Sequence, residues 1–150
     1  MRTVSKTLEK TRYRELLLLA DPCWEMVERY LDAGEMFLLW DGGQVAAEAV
    51  VLRRGEGCEL MNLAVREDCQ RQGHGSFLVR ALLDHYRGQA AWMEVGTSES
   101  GIPFYQRLGF APCGRRENFF IDNYPEPIWE DGRRCVDMIL LRQPLPDGKK

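Results

Sequence analysis

Along the chain the spacing of apolar positions alternates between the helical and the extended period, and this divides the sequence into elements. In DPCWEMVERYLDAG, the residues Cys23, Met26, Val27, Tyr30 and Leu31 recur at three- and four-residue intervals and mark one buried helix face. Asp21 suits its N-cap, Pro22 its first helical position and Gly34 the left-handed position past its end. A shorter helix is predicted from Tyr13 to Ala20. The period then falls to two. EMFLLW and VAAEAVVLRR read as strands joined through DGGQ, whose glycines allow a tight turn, and GEG leads a second hairpin into the strand CELMNLAV. SFLVRALLDHYRG returns to helical spacing, with Phe77, Leu78, Ala81, Leu82 and Tyr86 on one side and Gly88 as its stop. AAWMEV is a further strand, SGIPFYQRL a short helix capped by Gly109, and CVDMILLR a last strand. Antiparallel hairpins followed by strand–helix–strand–helix predict an α/β fold, a mixed sheet with helices on its faces.

Composition narrows the class. At 150 residues, 45% apolar and 29% charged, the chain is expected to form one domain, 1–150, with a frayed tail from 143. A net charge of −3 argues against a general affinity for nucleic acid, and no apolar run approaches the length needed to cross a membrane. The polar N-terminus lacks a signal-peptide pattern, and five widely spaced cysteines with no C-x-x-C pair fit a reducing cytosol, so a cytoplasmic location is expected. Two histidines leave little from which to build a metal centre, and none is expected.

The loop REDCQRQGHG, between the strand ending at Val65 and the helix at Ser76, carries the first candidate chemistry. A helix N-terminus presents unsatisfied N–H groups and a partial positive charge, and so attracts phosphate. Gly73 and Gly75 clear the approach to those groups, and Arg71 adds charge. A dinucleotide fingerprint would need glycine where Leu78 stands, and no lysine follows either glycine as a mononucleotide loop requires.

Gln70-x-x-Gly73-x-Gly75, after LMNLAV and before an amphipathic helix, resembles the pyrophosphate loop of the GNAT superfamily of acyl-CoA-dependent N-acetyltransferases. Downstream, FYQRLGF (Phe104 to Phe110) is similar to that superfamily's second signature, with the strand AAWMEV between the two. The resemblance covers roughly Tyr13 to Leu141; LLLLADP and FFIDNYPEPIWEDGRRCVDMI are similar to a bacterial branch whose substrates are generally not established. It implies a mostly antiparallel sheet of six to seven strands flanked by about four helices, with a first strand that is only faintly marked around Met1 to Ser5. It also implies acetyl-CoA as acyl donor, with pantetheine on Leu63, Ala64 and Val65, and pyrophosphate on Gln70, Arg71, Gln72, Gly73, His74, Gly75 and Ser76. Tyr105, on the second signature, would approach the cofactor and serve as general acid to the leaving thiol.

The expected reaction is acetyl transfer to a primary amine of a small molecule, by direct attack in a ternary complex. An alkylammonium is neutral in roughly one molecule in 2,500 at pH 7, so a base, direct or through water, is needed. Glu59 is the first candidate, since by alternation it shares a face with Met61, Leu63 and Val65; it could equally be a solvated residue after a turn. Glu48 and Glu94, each within an apolar strand, are rivals. Between Glu117 and Asp131, carboxylates interleave with Phe119, Phe120, Tyr124 and Trp129. Such a segment suits a cationic amine, or buries its aromatics in the core or in the second copy of a homodimer. Two other functions stay open: a non-catalytic acyl-CoA-binding or sensing domain, and a protein N-acetyltransferase with an open groove.

Overall fold

The computed structural model describes residues 1–146. Its strands are β1 (Arg2–Thr7), β2 (Glu35–Asp41), β3 (Gln44–Arg54), β4 (Gly57–Val65), β5 (Trp92–Thr97), β6 (Ala111–Arg116), β7 (Trp129–Glu130), β8 (Arg133–Arg134) and β9 (Met138–Pro144). The helices are α1 (Arg14–Ala20), α2 (Trp24–Leu31), α3 (His74–Tyr86), α4 (Ile102–Arg107) and α5 (Phe119–Asn123). A seven-stranded sheet runs in the order β1-β2-β3-β4-β5-β9-β6, and β7 and β8 form a separate ribbon. All pairings in the large sheet are antiparallel except β4 with β5.

Each face of the sheet buries its own core. On one side Leu78, Val79, Leu82, Leu83 and Tyr86 of α3 lie against Phe37, Leu39, Ala47, Ala49, Val51, Cys58 and Leu60. On the other, Leu17 of α1 and Val27, Tyr30 and Leu31 of α2 cover Met36, Leu38 and Val50. The mixed α/β architecture and the Gly42–Gly43 hairpin are as the sequence predicts.

Several local expectations are corrected. The helix expected from Pro22 starts at Trp24 with Cys23 at its N-cap, and the Asp21 carboxylate, expected to cap it, accepts two tyrosine hydroxyls instead of an amide inside the helix. Gly34 is not in the left-handed region; a side chain there would meet Val50 Cγ1 at 2.6 Å and Tyr30 O at 2.9 Å, so the position is glycine for close approach. Phe77 is exposed on α3 beneath the Arg2 guanidinium, while Val79 and Leu83 take the buried places expected of Phe77 and Ala81. The last strand starts at Met138 rather than Cys135 and holds Gln143 and Pro144 against β5, with Leu145 buried beyond them, so the expected tail at 143–146 is part of the fold. The rest of that tail, 147–150, lies outside the described residues. The faint first strand is a full six-residue edge strand, and β6 and α5 have no counterpart in the sequence reading.

Candidate active site

The sheet opens in its middle. β4 and β5 pair only from Cys58↔Met93 to Leu60↔Val95, after which Met61 to Val65 continue beside β3 alone and Gly96 and Thr97 stay with β9. One backbone edge of β4 is thereby left without a partner strand. The parting is filled by a cleft of about 550 Å³, lined among others by Leu63, Gly96, Phe104, Tyr105, Tyr30 and Asn62. Because Leu63 and Tyr105 pack with the α3 core and Tyr30 with the α2 core, the cleft joins the two faces.

On the α3 side lies the glycine loop. The first helical bond of α3 runs from Phe77 N–H to Gly73 O at 3.0 Å, which leaves the amides of His74, Gly75 and Ser76 with no acceptor in the helix. Gly73 reaches this N-cap position with φ of 82°, where L side chains are strained. Arg2 braces the loop by donating to Gln72 O at 2.8 Å, and Gln70 Nε2 donates to Val65 O at 3.2 Å. The Arg71 side chain is exposed. The His74 ring turns inward instead, 2% exposed, with Nε2 3.5 Å from Asp41 Oδ2, so only its backbone faces an anion at the helix end. Gly75 is adjacent to the second signature: a Cβ there would lie 3.4 Å from Phe104 Cζ, and Phe104 lines the cleft.

Tyr105 stands edge-on between Phe104 and Phe110, and burial pushes its phenol up. Of the three candidate bases only Glu59 lines the cleft. Burial raises its carboxyl above the ordinary value, and the guanidiniums of Arg54, at 3.0 Å, and Arg116 oppose that rise. The expectation that Glu59 shares a face with Leu63 and Val65 is wrong. A bulge at Met61 shifts the β3–β4 register between Val50↔Asn62 and Val51↔Leu60, so the alternation slips by one residue. Glu59 therefore lies opposite Leu52 on the α2 side, with Met61, while Leu63 and Val65 join the α3 core. Glu94 is held by Arg142 at 2.8 and 3.1 Å, away from the cleft. Glu48 is fully buried in the sheet, neither oxygen has a partner among the described residues, and its carboxyl is pushed well up by desolvation.

A polar chain missing from the sequence reading crosses the cleft floor. Asn62 donates to Tyr30 Oη at 3.0 Å, Tyr30 to Asp21 Oδ2 at 3.0 Å, and Tyr124, just past α5, to Asp21 Oδ1 at 2.9 Å. Its one visible signal was an asparagine inside the apolar run of β4. Of the acidic and aromatic segment, Phe119, Phe120, Tyr124 and Glu130 line the cleft, whereas Glu117, Asp122, Glu126 and Asp131 do not. Phe119, Phe120 and Tyr124 pack on one another there, and Trp129 is left 63% exposed. No helix among the described residues is long and apolar enough to cross a membrane.

Residues 32–112 match the family model described as an acetyltransferase (GNAT) domain. The chain is 37% identical to the uncharacterized N-acetyltransferase YvbK of Bacillus subtilis over 132 residues, 85% of each protein. It is 37% identical over 122 residues to the [ribosomal protein bS18]-alanine N-acetyltransferase of Escherichia coli, covering 79% of this chain and 74% of that protein. A GNAT family acetyltransferase from Elizabethkingia anophelis, solved with acetyl-CoA bound, superposes with a TM-score of 0.91 at 35% identity, over 96% of this chain and 98% of that one.

Proposed function

The chain belongs to the GNAT acetyltransferase family and is an acyltransferase, and from that premise we propose that it moves the acetyl group of acetyl-CoA to a primary amine of a small molecule, with both substrates bound together. The observation that carries this reading is the parting of β4 from β5, which opens a free strand edge, Tyr105 and Glu59 onto one cleft beside the glycine loop. The chain's residues fit the donor. The amides of His74, Gly75 and Ser76 would hold the pyrophosphate with Gln70, Arg71, Gln72 and Gly73, and the edge at Leu63, Ala64 and Val65 would hold the pantetheine. Acetyl-CoA supplies the acetyl thioester when bound.

The remaining chemistry falls to the side chains. Glu59, on the α2 side of the cleft, takes the proton of the incoming ammonium directly or through water, and burial, by raising its pKa, makes it a stronger base than an exposed carboxylate. Tyr105, kept neutral by burial, offers its hydroxyl proton to the departing sulfur from the α3 side. The α5 aromatics wall the cleft, which favours a small acceptor over an extended chain. A protein N-terminus is the second reading, favoured by the likeness to a ribosomal-protein alanine N-acetyltransferase.

Acetyl-CoA titrated into the protein by calorimetry, beside Gly73→Val, tests the reading. Micromolar binding that the valine abolishes supports it, since a β-branched residue at φ of 82° distorts the loop. Absence of binding by the unaltered chain overturns it. Acetyl-CoA consumption with small amines against an alanyl peptide then separates the two acceptor classes.

A further inference from the structure

Three carboxylates and three guanidiniums line the cleft: Asp21, Glu59 and Glu130 with Arg29, Arg54 and Arg116. Their internal partners are unequal. Both oxygens of Asp21 accept tyrosine hydroxyls, and burial pushes its carboxyl up toward the neutral form. Glu130 Oε1 accepts from Ser98 at 2.5 Å and Ser100 at 2.6 Å, and Glu59 is held by Arg54 at 3.0 Å. Every carboxylate is thus engaged. Among the guanidiniums only Arg54 has a carboxylate partner among the described residues. Arg29 reaches just the Asn123 amide oxygen, at 3.3 Å, and Arg116 makes no hydrogen bond or ion pair among the described residues.

The charge left free to face a ligand is therefore positive, the reverse of what the acidic composition of 117–131 suggests. Arg116 and Glu59 line the same cleft and Arg116 acts electrostatically on Glu59, so a free guanidinium shares the site with the residue assigned to the amine. We propose that the acceptor is a small amine bearing a carboxylate, an amino acid with an apolar or aromatic side chain, and that Arg116 binds that carboxylate. Guanidinium suits a carboxylate through its planar pair of donors. Phe119, Phe120 and Met26 offer the side chain an apolar wall. The inference rests on the acetyl-transfer reading and names its acceptor.

The test compares matched pairs that differ in the carboxylate: phenylalanine with 2-phenylethylamine, leucine with 3-methylbutylamine, and phenylalaninamide as a steric control. Calorimetry reads binding of the N-acetylated member of each pair, and a coupled assay reads kcat/KM for the free amine. The carboxylate members should win by tenfold or more in both, with the amide grouped among the losers. Arg116→Leu should collapse that ratio, and Arg116→Lys should restore part of it. Equal or reversed preferences, no binding by either member, or a ratio unmoved in Arg116→Leu overturns the proposal. A binding preference without turnover of any amine upholds carboxylate recognition and brings down the acetyl-transfer reading instead.

Discussion

Glu59 shows how much one side chain depends on its two neighbours. Burial lifts its carboxyl above the ordinary value, and Arg54 and Arg116 limit that rise. A base of this kind is active when ionised, so turnover should climb with pH through an inflection above the ordinary carboxylate range. Arg54→Met removes a cause that lowers the pKa, and the inflection of the kcat–pH profile should move to higher pH. Glu59→Gln should cut kcat by about 100-fold and flatten that limb, within the usual span for general base catalysis. An unchanged profile in both variants would return the base role to solvent. Glu59 was a candidate in the sequence through its alternation with Met61, Leu63 and Val65; the face it occupies was not legible there. Simple alternation fails at Met61 because the extra residue of a bulge is fixed by pairing with β3, which no pattern within β4 records.

At the scale of elements, long periodic segments were readable and short polar ones were not. α3 and the central strands announce themselves because burial on one or two faces dictates their spacing. β6 is exposed along its whole length, so its sequence APCGRR carries no apolar period, and its pairing with β9 alone makes it a strand. α5 has five residues and is tied down by partners distant in sequence: Phe120 N–H donates to Val136 O, Arg29 to Asn123 Oδ1, and Tyr124 Oη, just past the helix, to Asp21. Asp21 reads as a helix cap in sequence because the tyrosines that claim it lie 9 and 103 residues away. Tyr124→Phe removes a donor from a buried carboxylate and loosens the end of α5 at the α1–α2 junction, where the Arg29–Asn123 bond remains. Stability should fall by about 1 kcal/mol, a Tm shift of roughly 2–4 °C. The acceptor KM should rise several-fold while acetyl-CoA affinity holds, because α5 walls the acceptor side only. Scanning calorimetry with KM measurements checks this, and a parallel loss of acetyl-CoA affinity would contradict it.

Across the whole molecule the sheet must stay continuous from β1 to β6 while parting between β4 and β5, and two helical layers hold it on either side of the gap. Glu48 sits one strand from that parting, between Leu38 and Ala64, 0% exposed and without a hydrogen bond among the described residues, and Asn62 Oδ1 on the neighbouring strand likewise has none. A carboxyl so placed favours its neutral form, and the folded-state pKa lies well above the ordinary 4.5. The sign of the stability effect follows from linkage. Below the unfolded value of 4.5 Glu48 is protonated in both states and adds no pH dependence. As pH rises from there toward the folded pKa, the unfolded chain releases the proton and the folded chain retains it, so stability is lost. Glu48→Gln deletes the titration and keeps the shape. It should match the unaltered chain near pH 4 and exceed it increasingly above that, by on the order of 1–3 kcal/mol at neutral pH. Denaturant unfolding of both proteins between pH 4 and 8 reads the difference directly. A gap that does not change with pH would mean that Glu48 is ionised in the fold, held by a partner outside the protein's own side chains.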